Sequence, residues 1–151
     1  MKLIQTITSH RFGATVRLCA VVLLSAIGTL SSVFANLEQD TDKIEDLYGN
    51  IVERRLRDDG TVSVLYHKDG YLYLVVFANN RSVSETYFHV KGTDLSEKEI
   101  MKFLKANAGT ATWAAEGAGK ARRFKRSDGK AEASYTTIGG KPALLVRELS
   151  R

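Results

Sequence analysis

One cysteine, one proline and one tryptophan are all that 151 residues contain. Cys19 stands alone, so the chain has no partner for an internal disulfide and no cysteine set for zinc. No acidic residue precedes Glu38. The longest near-apolar run, Leu18–Leu30, has thirteen residues, short of the ~20 that span a bilayer as a helix. Phosphate loops are missing too. Gly117-Ala118-Gly119-Lys120 lacks the first glycine of that motif and the Ser/Thr after its lysine.

The acid-free start is the most telling segment. Lys2, Arg11 and Arg17 form a basic head, Leu18–Leu30 an apolar middle, and Val33-Phe34-Ala35 an end with acceptable residues at the two positions a signal peptidase reads. Residues 1–35 are therefore expected to be a secretory signal peptide, and residues 36–151 a single exported domain, periplasmic or secreted. Cleavage removes Cys19 and leaves a cysteine-free chain of 116 residues with no stable membrane span. That length suits one domain able to build its own core. Leu18 and Arg17 stand where a lipobox has small residues, which argues against lipidation at Cys19. Retention of the segment as an anchor is the alternative.

Net charge is +5 for the whole chain, but residues 36–151 carry nineteen basic and seventeen acidic side chains, a net of +2. The balance is uneven. Residues 36–116 sum to −4 and residues 117–151 to +6. Such polarity suits an oriented encounter with a charged partner. For an exported protein that partner is expected to be an acidic protein or an anionic envelope component, not nucleic acid.

Asp42-Lys43-Ile44-Glu45 reads as a capping box, with Ile44, Leu47 and Tyr48 as an apolar stripe and Gly49 as the stop. Four strands follow, Ile51–Arg57, Thr61–Lys68, Tyr71–Ala78 and Arg81–Val90, separated by Asp59-Gly60, Asp69-Gly70 and Asn79-Asn80. A two-residue turn at Asp69-Gly70 pairs Tyr66 with Tyr73, Val64 with Val75 and Val62 with Phe77, all on one face. Tyr71–Ala78 is apolar on both faces and belongs inside the sheet. Ser96-Glu97-Lys98-Glu99 is a second capping box, leading to Ile100, Phe103 and Leu104. Trp113 is expected to pack on that helix, and Ala114–Gly119 reads as a loop. Strands Ala121–Ser127, Lys130–Ile138 and Ala143–Leu149 close the chain. The expected fold is α+β: two helix-plus-antiparallel-meander units (α-ββββ-α-βββ) in one small domain.

The strongest binding candidates are Lys120, Arg122, Arg123, Lys125 and Arg126. Guanidinium and ammonium groups at this density grip carboxylates and phosphates; charges on an edge strand also deter strand-on-strand aggregation. His67, Asp69 and His89 suggest a metal only weakly, because no further ligand follows at a zinc-like spacing, and no metal or cofactor is expected. The histidines share a face only if Asn79-Asn80 is a tight two-residue turn. Tyr48, Tyr66, Tyr71, Tyr73, Tyr87, Phe88 and Trp113 suit a core better than a stacking groove. Glu85 interrupts an apolar alternation, Val83-Glu85-Tyr87, which would put one carboxylate near the sheet interior with a raised pKa; a solvated or arginine-paired Glu85 is expected ahead of a catalytic one. One acid makes no glycosidase. Ser127-Asp128-Gly129-Lys130 spells S-x-x-K across a turn instead of on a helix, and Asn80-Arg81-Ser82 is a glycosylation sequon only in a eukaryotic source. No nucleophile and base pair is legible, so no catalytic residue is assigned.

Ile44-x-x-Leu47-Tyr48-Gly49-Asn50-Ile51-Val52 followed by a meander resembles the outer-membrane-assembly lipoproteins of the SmpA/OmlA type and the β-lactamase-inhibitor-like folds, over about forty residues. This chain lacks their lipobox cysteine and the proline that often follows the glycine. The resemblance implies a protein-binding module. A structural or stress-related envelope protein without a discrete site, and a small hydrolase using Glu85 or a histidine, are the alternative readings.

Overall fold

In a computed structural model that describes residues 35–117 and 122–149, Asp40 caps the first helix, two residues before the expected Asp42. Its carboxylate accepts from the Lys43 amide at 2.9 Å, leaving Asp42 in the first turn, where its charge favours the helix dipole. The helix α1 (Thr41–Tyr48) ends at Gly49, whose φ of 73° few other residues tolerate. Apart from Ala35, the expected signal peptide lies outside the described residues, as does Lys120. The described residues all fall within one compact unit, residues 31–151.

Four strands follow α1: β1 (Ile51–Leu56), β2 (Val62–Lys68), β3 (Tyr71–Ala78) and β4 (Arg81–His89). The Asp69-Gly70 hairpin has the expected register, with Tyr66 opposite Tyr73, Val64 opposite Val75 and Val62 opposite Phe77. Asn79 and Asn80 both adopt positive φ and form the tight turn. Helix α2 (Glu97–Ala106) starts at the full Ser96/Glu99 capping box and buries Ile100, Phe103 and Leu104. The remaining strands are β5 (Trp113–Glu116), β6 (Arg122–Arg126), β7 (Ala131–Ile138) and β8 (Lys141–Glu148).

Strand β5 corrects the expected loop over Ala114–Gly119, and the second meander has four strands instead of three. Ala114 and Ala115 have little strand propensity of their own. They are held by pairing, Trp113 opposite Arg126 and Ala115 opposite Phe124. Trp113 packs against the core from this strand. Strand β8 starts at Lys141, two residues before the expected Ala143, and so includes Pro142.

All eight strands form one antiparallel sheet in the order β1-β2-β3-β4-β8-β7-β6-β5. The fold is α+β. Register lines up Val64, Val75, Glu85, Val146, Ala133 and Phe124 across one face. These residues are buried together with Ile44 and Tyr48 of α1 and Ile100, Phe103 and Leu104 of α2. Both helices therefore cover the same face. Rings fill the space between: Tyr48 stacks on Tyr73 at 4.1 Å, and Tyr87 on Phe103 at 4.2 Å. Tyr48, Tyr66, Tyr73 and Tyr87 are core and Tyr71 and Trp113 pack against it partly buried, whereas Phe88, expected with them, lies on the other face.

A bulge in β4 sets which side chains face the helices. Phe77 pairs with Ser82 but Val76 with Ser84, so Val83 is the extra residue. The bulge reverses the parity that the tight Asn79-Asn80 turn alone would give. Tyr71 and His89 fall on the helix face, while His67 shares the other face with Leu72 and Phe88. The two histidines are thus on opposite faces, and no group of three potential metal ligands occurs among the described residues.

The capping box closes α2 against the sheet, since Glu99 also accepts from the Tyr71 hydroxyl and pairs with His89 Nε2 at 3.0 Å. Replacing Ser96 with alanine is expected to cost about 1 kcal/mol, read as a lower urea midpoint with an unchanged slope.

Candidate binding face and its buried anchor

Alternation along β6 splits the basic cluster between the two faces. Arg122 and Arg126 lie on the helix face; Arg123 and Lys125 lie on the other. Arg126 is 6 % exposed. Its Nη1 donates to the Asn107 carbonyl at 3.1 Å and its Nε to Asp128 at 2.9 Å. A buried guanidinium with its donors so engaged holds the fold together and is closed to a partner, which corrects its place among the binding residues. Arg122 is also engaged. It pairs with Glu97 at the start of α2 and lies 5.8 Å from the Tyr135 ring centre. Asp128 is held below the usual carboxylate range, first by its bond from Arg126.

Arg123 and Lys125 remain exposed, and no ion pair engages either among the described residues. They do not sit on an edge: β5 covers β6, and the edges of the sheet are β5 and β1. Strand β1 is exposed throughout, and it guards its edge with Glu53, Arg54 and Arg55.

Among the described residues, no helix lies on the face that carries Arg123 and Lys125. Register places Leu65, Leu72, Leu74, Val76 and Leu145 there, all only partly buried. Leu65, Leu72, Leu74 and Phe88 line an open hollow of about 440 Å³, bordered by Arg55 and Lys141. Arg147 reaches this face paired with Glu132, and Arg55 paired with Glu53. Arg123, Lys125 and Lys141 carry no ion pair there among the described residues; Glu116 lies opposite Arg123, and Glu132, which pairs with Arg147, lies opposite Lys125. An apolar centre on β2–β4 thus adjoins a basic flank on β6–β8. The sequence pointed to the basic strand. It did not point to the hollow, because Leu72, Leu74 and Val76 read as part of a doubly buried strand.

On the helix face, where the bulge at Val83 turns it, Glu85 is 1 % exposed, which corrects the expectation of a solvated carboxylate, and no arginine pairs with it among the described residues. Two donor chains converge on its Oε2. Asn36 Nδ2 donates to the Tyr48 hydroxyl at 2.8 Å, which donates to Glu85 at 2.9 Å. Asn107 Nδ2 donates to the Tyr87 hydroxyl at 2.5 Å, and that hydroxyl donates to the same oxygen. Asn107 also lies 3.4 Å from it directly. Oε1 and the Tyr66 hydroxyl are buried without partners among the described residues. Burial pushes the Glu85 carboxyl above its ordinary 4.5, against the pull of the tyrosine and asparagine donors. Burial likewise pushes the Tyr48 and Tyr87 hydroxyls well above 10. A carboxyl this enclosed cannot meet a substrate without opening the core. Its work is to join α1, α2 and β4.

No family model matches the chain, and no curated protein matches it. Among solved structures, a cysteine-rich secretory protein from Staphylococcus aureus is similar over 74 % of this chain at 11 % identity, with a TM-score of 0.43. The chain spans 44 % of that protein's length.

The raised Glu85 carboxyl fixes a pH dependence. Stability from a group whose folded pKa is raised is whole below its ordinary 4.5 and is lost as pH climbs through the folded value. In a chain that still carries Ala35, unfolding free energy should therefore fall as pH rises from that range. Glu85→Gln should flatten this part of the profile, as measured by denaturant titrations at several pH values.

Proposed function

We propose that this is an exported binding module that docks an acidic protein on the uncovered face of its sheet. The observation that carries the reading is the hollow between Leu65, Leu72, Leu74 and Phe88 beside Arg123, Lys125 and Lys141, on a surface where no helix and no ion pair to these cations occurs among the described residues. Partly buried apolar groups flanked by cations suit a partner with apolar and acidic residues side by side. The basic head, apolar run and Val33-Phe34-Ala35 end support export. The order of one helix and four strands, twice over, supports two helix-plus-meander units joined where β4 pairs with β8.

The sites on the face and the sites that hold the fold are separable, which makes the test clean. Arg123→Glu with Lys125→Glu should leave the thermal midpoint nearly unchanged, because both side chains are exposed and neither forms an ion pair among the described residues. An acidic protein retained from the native exported fraction by the unaltered chain should lose at least about tenfold in affinity for the doubly reversed one. Its hold on the unaltered chain should also weaken between low and physiological salt. Equal retention by both chains would remove the basic flank from the site.

A further inference from the structure

Glu85 is a buried carboxylate with no cation paired to it among the described residues. The groups facing it are Tyr48 from α1, Tyr87 from β4, Asn107 from the end of α2 and Asn36 from the N-terminal strap, with Tyr66 nearby on β2. The nearest basic side chain in this network, Arg126, reaches only as far as the Asn107 carbonyl and Asp128. Isolated buried charge is costly, so a counter-charge at this place has large leverage.

The strap is tied down over its whole length. The Asn36 amide donates to the Ala106 carbonyl at 3.1 Å, and the Asn36 carbonyl accepts from Ser82 Oγ at 2.6 Å. Leu37 is 2 % exposed, and its amide donates to Asn107 Oδ1 at 3.2 Å. Glu38 donates to the Ser82 carbonyl, and Ser82 donates in turn to the Gln39 carbonyl. Asn36 is also the residue that follows Ala35, the last position of the expected cleavage site. Its backbone nitrogen faces the last carbonyls of α2, the end of a helix that favours positive charge.

We infer that cleavage between Ala35 and Asn36 creates an α-ammonium that seats on the C-terminal end of α2 and supplies the missing counter-charge to Glu85, so that leader removal completes the core. This rests on reading residues 1–35 as a leader, and is independent of the binding face, which lies on the other side of the sheet. Hydrolysis of the Ala35–Asn36 peptide bond adds water: the carboxylate departs with the leader, and the amine that stays takes a proton. One bond is given up, from Gln39 Nε2 to the Ala35 carbonyl at 2.9 Å. In exchange, a single neutral N–H becomes a charged group with three donors, held beside the asparagine that touches the Glu85 network. The other ionisable groups around the strap, Glu38, Asp40, Lys43, Arg81, Arg126, Asp128 and Lys130, line the groove outside it.

The test begins with the chain recovered after export from a secreting host, whose intact mass should correspond to Asn36–Arg151. A different start would overturn the assignment of the cleavage site and, with it, the leader reading behind this inference. The same chain is then compared with its Nα-acetylated form by carbon-13 NMR of the Glu85 carboxyl. Free amine should bring the Glu85 titration down by at least about one pH unit relative to the acetylated chain. It should also raise the thermal midpoint near neutral pH. In Glu85→Gln the dependence of the midpoint on acetylation should vanish. A Glu85 titration indifferent to acetylation would overturn the proposal, as would a midpoint difference that persists undiminished in Glu85→Gln.

Discussion

The molecule is organised around one carboxylate placed in the middle of an apolar row. Glu85 lies between Val75 and Val146 across the sheet, and its Oε2 gathers donors that start from Asn36 and Asn107. Each chain of donors crosses an element boundary. One runs from the N-terminal strap through α1 to β4, the other from the end of α2 to β4. None of these groups can be satisfied alone: Tyr48 needs Glu85 as acceptor, and Asn107 needs Tyr87, Leu37 and Phe103. A polar network of this kind stabilises little beyond what an apolar core would, but it admits only one arrangement of strap, helices and sheet.

That arrangement depends on a single extra residue. Without the bulge at Val83, the stretch of β4 beyond it would turn its other face to the helices, putting Ser84 and Thr86 inward and Glu85 and Tyr87 outward. The same residue therefore places the carboxylate under the helices and Phe88 in the hollow of the open face. Core and candidate binding face are fixed together. Changes at the bulge would move both, whereas changes at Arg123 or Lys125 touch only the surface.

Two local signals of the sequence hold in the structure. Asp69-Gly70 defines its hairpin because the turn and the alternation agree, and Ser96-x-x-Glu99 defines α2 because both partners of the capping box lie within one turn. Glu85 stands out as a charge in an apolar alternation, but it turns inward only through the bulge at Val83, which no turn dipeptide announces. What failed to show is what depends on distant partners. Trp113-Ala114-Ala115-Glu116 becomes a strand only by pairing with β6. The cap of α1 moves to Asp40, beside the bridge that Asp40 makes with Arg81. The pairing of β4 with β8 joins residues some sixty positions apart, for example Glu85 with Val146, and no turn dipeptide announces it.

The basic strand shows how far composition alone can carry a functional reading. Five cations in seven residues look like one patch, but a strand divides its side chains by parity, and each face spends them differently. On the helix face a guanidinium must find acceptors or remain in water, so Arg126 is drawn to the Asn107 carbonyl and Asp128, and Arg122 to Glu97. Both thereby secure the ends of α2, Arg122 near its start and Arg126 beyond its last turn. On the other face Arg123 and Lys125 meet no such demand. Their charge is left over once the described fold is satisfied, and it adjoins partly buried apolar side chains on a sheet face that neither α1 nor α2 covers. Surplus charge beside surplus apolar surface is what distinguishes this face from the rest of the exterior.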